Sequence, residues 1–177
     1  MKILIVTQYF WPENFRVNDL VDGLISNNNE VTILTGKPNY PSGEVFKEFV
    51  NEPNLFNNYK SSKIIRVPII ARGKSRFTLA LNYFSFAISG VIIGAWKLRK
   101  YDFDTIFVYE PSPVTVGIPA IWLKKLKRAP VIFWTLDLWP ESLTSFDIVK
   151  SKSVLYIVGK LVSFIYNHCD LILAQSK

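Results

Sequence analysis

Short, almost continuously apolar runs of strand length recur along the chain. Six such runs are present: Ile3–Thr7, Glu30–Thr35, Lys63–Pro68, Thr105–Tyr109, Val131–Leu136 and Leu171–Ala174. An antiparallel strand with one wet face alternates apolar and polar residues, whereas a parallel strand covered on both faces is apolar throughout. The runs therefore predict parallel strands in the interior of a sheet.

Helical patterns fill the intervals between the predicted strands. In the first interval Val17, Val21 and Leu24 repeat at spacings of four and three, and the Asn27–Asn29 run ends the stripe. Three further intervals share this spacing: Phe77–Arg99, Val114–Lys127 and Val154–Asn167. Strands and helices that alternate with short connections fold as an α/β, doubly wound, Rossmann-like parallel sheet, which we predict as one domain over residues 1–177.

The loops that follow four of the predicted strands share an unusual composition. Ligands of an open α/β sheet bind outside the carboxyl ends of its strands, so these loops are the candidate site. All four are rich in Pro, aromatic residues and carboxylates or amides: Gln8–Phe15, Gly36–Gly43, Glu110–Pro113 and Asp137–Ser142. Stiff loops that contain Pro hold polar groups in place at a low entropic cost. This pattern favours a carbohydrate or nucleotide site.

Composition argues against several classes of protein. The 177 residues are 49% hydrophobic and 20% charged, which fits one globular domain and not a disordered tail. One Cys and one His are too few for a disulfide framework or a Cys/His metal cage, so we expect a reducing compartment and no metal site. The chain also lacks a Gly-x-Gly-x-x-Gly after its first strand, a phosphate loop and a Gly-x-Ser-x-Gly elbow, which argues against a dehydrogenase, a P-loop enzyme and an acyl-transfer enzyme.

Positive charge is concentrated around one apolar segment. The net charge is +7, and no acidic residue occurs between Glu52 and Asp102, a window that holds nine basic residues. The residues predicted to face an anionic membrane surface are Arg72, Lys74, Arg76, Lys97, Arg99 and Lys100. Solvated helix ends explain basic residues in such places without a membrane. The bases flank apolar helices and no recognition motif accompanies them, so nucleic-acid binding is not expected.

The apolar segment Phe77–Trp96 is long enough to cross a bilayer. Asn82, Ser85 and Ser89 interrupt it at helical spacing, and basic residues flank both of its ends, so a core helix and a membrane-dipping helix are open alternatives to a spanning one. The chain starts directly with a predicted strand, without the features of a signal peptide. We therefore expect a peripheral, monotopic location on the cytoplasmic face of the plasma membrane.

Three motifs, in order along the chain, resemble those of one known family. They are residues 1–14, ending in Trp11-Pro12-Glu13-Asn14; residues 31–43, ending in Asn39-Tyr40-Pro41-Ser42-Gly43; and Asp137-Leu138-Trp139-Pro140-Glu141-Ser142. Together they resemble the N-terminal half of the family-4 retaining glycosyltransferases, over essentially the whole chain. The likeness is greatest to the bacterial subgroup that builds O-antigen, capsule and colanic-acid repeats, including the L-fucosaminyltransferases.

The resemblance implies a GT-B architecture of two Rossmann-like domains. In that architecture the N-terminal domain binds the acceptor and the C-terminal domain binds the nucleotide-sugar donor. We expect residues 1–177 to be the first of the two, as a piece of a longer protein or a split subunit, and to be inactive alone. The implied reaction moves a sugar, with retention, from a nucleoside diphosphate to a polyprenyl-diphosphate-linked saccharide in surface polysaccharide biosynthesis, without a cofactor.

A second reading of the same features is a protein without enzyme activity. A Rossmann-like module of this kind would dock at a membrane and recruit a separate donor-binding glycosyltransferase subunit. A reading frame that continues for roughly one further domain favours the enzyme over this module.

Asp137 is the candidate catalytic residue. In many members of the family that the chain resembles, a His lies on the loop after the fifth strand, next to the reacting sugar, and Asp137 occupies nearly that place here. A carboxylate there accepts a hydrogen bond from a sugar hydroxyl, or takes its proton as a general base within about 3 Å.

Seven further residues are candidates for substrate binding: Glu13, Asn14, Asn39, Tyr40, Glu110, Trp139 and Glu141. Glu13 either holds a ligand hydroxyl or lies in the first turn of the following helix, where the helix dipole favours an acid. Asn14 is either a sugar contact or, as we prefer, a helix cap. Asn39 and Tyr40 either contact a ligand or form a turn, and Glu141 either contacts a ligand or begins a helix after Pro140.

Overall fold

The computed structural model describes residues 1–73, 75–145 and 151–175, and the side chains of Arg76 and Ser145 are not described. Lys74 and the side chain of Arg76, both predicted to face a membrane, therefore lie outside the described part of the chain. Within that part seven strands form one sheet: β1 Lys2–Val6, β2 Glu30–Thr35, β3 Asn58–Tyr59, β4 Ser62–Arg66, β5 Thr105–Glu110, β6 Val131–Thr135 and β7 Leu171–Ala174.

The strand order is β3-β4-β2-β1-β5-β6-β7, and every neighbouring pair except β3 with β4 is parallel. This confirms the predicted α/β, Rossmann-like sheet, and all six predicted strands lie within two residues of the observed ones. The antiparallel edge strand β3 was not predicted. It pairs Asn58 with Lys63 and Tyr59 with Ser62, and two residues are too few to give an apolar run.

The helices occupy the predicted intervals, with two interruptions. They are α1 Arg16–Ser26, α2 Lys47–Asn51, α3 Arg76–Ser89, α4 Ala95–Leu98, α5 Gly117–Lys127, α6 Glu141–Ser145 and α7 Lys152–Asn167. A π-helical turn over Gly90–Gly94 joins α3 to α4, and a 3₁₀ turn over Val114–Val116 precedes α5, where the sequence predicted single continuous helices. The short helices α2 and α6, and a 3₁₀ turn over Pro53–Phe56, are the other helical segments of the described residues.

Helix α1 corrects one prediction from the sequence. The residue that precedes its first turn is Phe15, in extended backbone, and no side chain caps the helix. The predicted capping role of Asn14 is therefore wrong. Glu13 lies three residues before the helix begins, so its alternative role in the first turn is wrong as well. The side chain of Asn18 instead donates to the carbonyl of Glu13 at 2.9 Å.

Alternate residues of the central strands face two apolar layers. Leu4 of β1 points into the layer built by α3, α5 and α7, where Phe86 and Leu123 are fully buried. Ile5 points into the opposite layer, against Val17 of α1. Full burial of each such side chain contributes about 1.5 to 3 kcal/mol to folding. The two apolar layers therefore hold the strands, and the loops at their ends, in place.

The apolar segment after β4 packs on the sheet at Gly94 and on helix α5 at Gly90. A Cβ atom on Gly94 would lie 3.1 Å from the side chain of Leu34, and one on Gly90 would lie 2.9 Å from Pro119. The helical stretch Phe77–Leu98 is long and apolar enough to cross a membrane by length and composition, and a third of its most apolar window is buried in the protein. The structure therefore makes it one of the layers of the domain, with a second apolar face turned outward.

Candidate functional site

The carboxyl ends of the strands bring the four predicted loops to one edge of the sheet. Two regions of this rim differ in character. We call residues 9–15 and 36–43, after β1 and β2, the closed half. We call residues 110–116 and 136–143, at the ends of β5 and β6, the open half.

Glu13 joins the two loops of the closed half. Its side chain is 3% exposed, and its Oε1 accepts the backbone N–H groups of Asn39 and Tyr40, both at 2.8 Å. Its Oε2 accepts the N–H of Phe10 at 3.2 Å. Burial raises the pKa of Glu13 to about 7, although the three N–H groups and the charge of Arg66 act to lower it. The carboxylate predicted to bind a ligand hydroxyl is thus held by the protein's own backbone.

Arg66, at the end of β4, completes this network. Arg66 is buried, and its guanidinium group donates to the carbonyls of Gly36 at 2.9 Å, Phe56 at 3.3 Å and Trp11. Burial lowers the pKa of Arg66 to about 10, although the negative charge of Glu13 acts to raise it. The guanidinium group therefore stays protonated at neutral pH. Sequence reasoning missed this residue, and its one signal was a basic side chain at the end of an apolar run.

Asn39 and Tyr40 have different positions in the closed half. Asn39 is fully buried, donates to the carbonyl of Lys37 at 3.0 Å and accepts the N–H of Arg72 at 3.0 Å, so it shapes the loop. Tyr40 is partly exposed, and its ring centroid lies 5.1 Å from that of Phe15. The guanidinium of Arg72 lies 5.3 Å above the Tyr40 ring. Tyr40 thus remains available at the rim.

A buried polar cluster lies between the two halves and binds helix α3 to the rim. Gln8 donates through Nε2 to Oδ1 of Asn82, and Asn82 donates through Nδ2 to the carbonyl of Ile70 at 2.6 Å. The Oε1 atom of Gln8 is buried and has no hydrogen-bond partner among the described residues. Tyr9 lies beside this cluster, and burial raises the pKa of its hydroxyl.

Glu110 anchors the open half. It is fully buried, and its Oε2 accepts the hydroxyl of Thr135 at 3.1 Å and the N–H of Asp137 at 3.4 Å. Its Oε1 is buried without a partner in the part of the chain that the structure describes. Burial raises the pKa of Glu110 to about 8, and the nearby Asp137 carboxylate adds to the shift. A carboxyl group with that pKa holds its proton at neutral pH and fixes the backbone that carries Asp137.

Asp137 and Trp139 form a bonded pair next to the end of β6. The indole Nε1–H of Trp139 donates to Oδ2 of Asp137 at 3.0 Å. The ring of Tyr83, on α3, meets the Trp139 ring edge-on at a centroid distance of 6.2 Å. Asp137 is half-buried, so its carboxylate is fixed in orientation and still reachable. This is the arrangement that hydrogen bonding to an incoming hydroxyl requires.

A cavity of about 400 Å³ lies beside this pair, between α3, α7 and the open half. Its wall is mostly apolar and includes Leu79 and Ala80 of α3, Val158 and Leu161 of α7, and Asp137 and Trp139. Two hydroxyls at its wall, those of Thr115 and Ser142, are buried and have no hydrogen-bond partner among the described residues. A cavity of this volume with a few polar groups is typical of small-molecule sites.

The predicted site residues thus form two groups and two outliers. Glu13, Asn39 and Tyr40 meet in the closed half, whereas Glu110, Asp137 and Trp139 meet in the open half. Asn14 is exposed on the rim. Glu141 is exposed at the start of α6, so it begins a helix, which is one of the two alternatives that the sequence left open. No cluster of three or more His, Cys, Asp or Glu side chains that could hold a metal ion occurs within the described residues.

The predicted membrane-surface residues lie in two places. Lys97, Arg99 and Lys100 are exposed near the end of α4, where Lys97 donates to the carbonyl of Arg66 at 2.9 Å. The guanidinium of Arg99 lies 4.4 Å above the ring of Trp96. Arg72, in contrast, lies at the rim beside Tyr40, apart from the other three.

The fold is that of an α/β, Rossmann-like domain. Neither the protein-family models nor the curated protein sequences give a significant match to the chain. The chain is similar to the crystal structure of CalG4, the calicheamicin glycosyltransferase, with a TM-score of 0.55 and 13% identity. The match covers 93% of this chain and 42% of that one, so the chain spans less than half the length of that structure. A likeness at this identity concerns the fold alone, and it supports the GT-B fold that the family resemblance implies.

Proposed function

We propose that this domain is the acceptor-binding half of a retaining glycosyltransferase of the family-4, L-fucosaminyltransferase-like type. It acts with a nucleotide-sugar donor and a polyprenyl-diphosphate-linked saccharide acceptor in the biosynthesis of surface polysaccharide. The observation that carries the proposal is the open half, where the half-buried Asp137 carboxylate lies beside Trp139 and an apolar cavity at the carboxyl ends of the strands. The donor is held by a second domain, and this domain alone does not catalyse transfer.

Asp137 interacts with the acceptor hydroxyl. A hydroxyl within about 3 Å of the carboxylate donates a hydrogen bond to it, which orients the oxygen toward the donor carbon. As the new glycosidic bond forms, the bond between the donor sugar and its nucleoside diphosphate breaks. The proton of the acceptor hydroxyl passes to the Asp137 carboxylate or to the departing nucleoside diphosphate. Trp139 and the protonated Glu110 act as positioning residues, because one bonds the Asp137 side chain and the other bonds its backbone.

Equilibrium binding tests this proposal on the chain itself. The probes are a farnesyl-diphosphate-linked monosaccharide as acceptor analogue and a nucleoside diphosphate sugar as donor. We expect saturable binding of the acceptor analogue alone, and about tenfold weaker binding by Asp137→Asn, which is 1.4 kcal/mol. Asp102→Asn, exposed before β5 at the opposite edge of the sheet, is the matched control. Equal affinity of Asp137→Asn and wild type, or binding of the donor alone, would contradict the proposal.

We also propose that the domain binds the cytoplasmic face of the plasma membrane through the outer face of the α3–α4 stretch. Five large apolar side chains on this face, which we call the apolar ridge, are 53% to 72% exposed: Phe77, Phe84, Ile88, Ile92 and Trp96. Lys97, Arg99 and Lys100 follow the ridge and supply positive charge for anionic headgroups. An apolar helix face next to basic residues is typical of monotopic attachment.

Flotation with liposomes tests the membrane proposal. We expect binding to anionic liposomes that falls about tenfold when Ile88 and Ile92 are both changed to Ser. The control pair, Val50→Ser with Leu55→Ser, removes two equally exposed apolar side chains elsewhere. Binding that is equal for both pairs, or absent from all liposomes, would contradict attachment through the ridge.

A further inference from the structure

A second pocket, of about 560 Å³, lies between the β3–β4 edge of the sheet and the end of α4. We call it the cationic pocket. Its lining includes four basic residues, Lys63, Arg66, Lys97 and Arg99, and no acidic residue of the described part of the chain. Arg66 is buried and its guanidinium group bonds the loops of the closed half, so Lys63, Lys97 and Arg99 supply the charge that a ligand can reach.

Each of these three cations is held by a neutral partner. The Nζ atom of Lys63 contacts the hydroxyl oxygen of Tyr101, and that of Lys97 donates to a carbonyl of β4 at 2.9 Å. The guanidinium group of Arg99 donates to a carbonyl of its own helix at 2.8 Å. No ion pair of the described residues includes any of the three. The positive charge of the pocket is therefore fixed in place and not neutralised, which favours the binding of an anion.

Trp96 joins the cationic pocket to the apolar ridge. It lines the pocket and is 62% exposed, and the guanidinium group of Arg99 lies 4.4 Å from the centroid of its ring. Ile92 and Ile88, earlier on the same helical stretch, continue the ridge and are 64% and 59% exposed. An indole between an apolar surface and charged groups is typical of the headgroup level of a bilayer. The apolar surface therefore begins where the charge of the pocket ends.

We infer that the cationic pocket binds the phosphate group of an anionic phospholipid whose acyl chains lie along the ridge. Lys and Arg side chains form short, charge-assisted hydrogen bonds with phosphate oxygens, and three such side chains meet in this pocket. A free phosphate ester uses this charge but leaves the adjoining ridge without a contact. The pocket is a defined site for one headgroup, beyond the general attraction of basic residues to an anionic surface. The assignment to a membrane lipid rests on the proposed attachment through the ridge, whereas phosphate binding does not.

Calorimetry tests the inference with two soluble probes, dihexanoyl phosphatidic acid below its micelle concentration and glycerol 3-phosphate. Lys63→Met with Lys97→Met removes two cations of the pocket. Lys63→Met with Arg99→Met is a second pair that keeps the bond from Lys97 to β4, so a folding failure of one pair leaves the other. Lys47→Met with Lys125→Met, both exposed and outside the pocket, removes the same charge and is the matched control.

We expect saturable binding of the short-chain lipid that both pocket pairs weaken about tenfold or more and that the control pair leaves within about twofold. Ile92→Ser should weaken the binding of the lipid and leave that of glycerol 3-phosphate unchanged. No saturable binding of the lipid by wild type, equal losses in the pocket and control pairs, or equal affinity for the two probes overturns the inference.

The same probes separate this inference from the proposed function. Binding of the short-chain lipid together with no flotation of any liposome would contradict attachment through the ridge and leave phosphate binding by the pocket intact. Neither probe carries a sugar, so failure of the saccharide-linked analogue to bind would contradict the proposed function without affecting the result for the pocket.

Discussion

The two halves of the rim use similar residues for opposite purposes. In the closed half both oxygens of Glu13 and all three guanidinium nitrogens of Arg66 bond backbone groups of neighbouring loops. In the open half Glu110, Thr115 and Ser142 each keep a buried oxygen without a partner among the described residues. A buried polar group that is fully bonded stabilises a loop, whereas one that is left unbonded has a hydrogen bond to offer a ligand. Within one rim, the polar groups of the closed half therefore stabilise the loops, whereas those of the open half are suited to binding.

The largest effect is expected from breaking the closed half at Arg66. Arg66→Met leaves three carbonyls and the Glu13 carboxyl without their cation, so the free energy of unfolding should fall by about 3 to 5 kcal/mol. Urea denaturation measures the change. Lys63→Met, an exposed position on the same strand, is the control and should cost less than about 1 kcal/mol. A small loss at Arg66 would show that the closed half does not stabilise the domain.

A second test of the closed half uses pH. The pKa of Glu13 is raised from 4.5 to about 7 in the folded chain. Between these two pH values the folded state holds a proton that the unfolded state has lost, so the free energy of unfolding falls as the pH rises through this window. Glu13→Gln removes this dependence. The stability advantage of wild type over the variant should therefore shrink by about 2 kcal/mol between pH 5 and pH 8. Exposed Glu48→Gln is the control, and an advantage that grows with pH would contradict this account.

Glu110 sharpens the comparison from the other side, since its protonation should affect ligand binding. Its pKa of about 8 means that it ionises above neutral pH, next to the Asp137 carboxylate. The repulsion between the two carboxylates displaces the Asp137 side chain, so wild type should bind the farnesyl-diphosphate-linked analogue about threefold to tenfold more weakly at pH 9 than at pH 7. Glu110→Gln should give a flat profile. An identical pH profile for both proteins would count against the positioning role.

The smallest effect comes from a matched pair of threonines. Thr115→Val in the open half removes an unpartnered hydroxyl, so the free energy of unfolding should stay unchanged or rise by up to about 1 kcal/mol. Thr35→Val, at the end of β2, removes a hydroxyl that donates to the carbonyl of Gln8 at 3.1 Å and should cost about 1 kcal/mol. Thermal or urea unfolding of both variants decides this, and equal losses would erase the distinction between bonded and unbonded groups.

The sequence predicts the sheet well because parallel strands leave a strong local signal. Apolar runs located all six long strands, and the rule that ligands bind at strand ends pointed to the loops that contain Asp137 and Trp139. The edge strand β3 left no such signal, because its two residues depend on pairing with β4. Local pattern also predicted one helix where the π turn at Gly90–Gly94 now divides it.

The roles of individual rim residues were harder to predict. Glu13 bonds N–H groups 26 and 27 positions along the chain, and Arg66 bonds carbonyls 30 and 55 positions away. Such partners are set by tertiary structure, so sequence spacing could not separate a loop anchor from a ligand contact. The cavity has the same origin, since its walls come from α3, α7 and two loops that are distant in sequence.

Hydrogen–deuterium exchange with and without the farnesyl-diphosphate-linked monosaccharide tests the central claim most directly. If the open half binds the acceptor, saturating ligand should slow exchange in residues 110–116, 136–143 and the cavity-facing turns of α3. The closed half, at residues 9–15 and 36–43, should keep its exchange rates. Protection confined to the closed half, or no protection of the open half at saturation, would contradict the account.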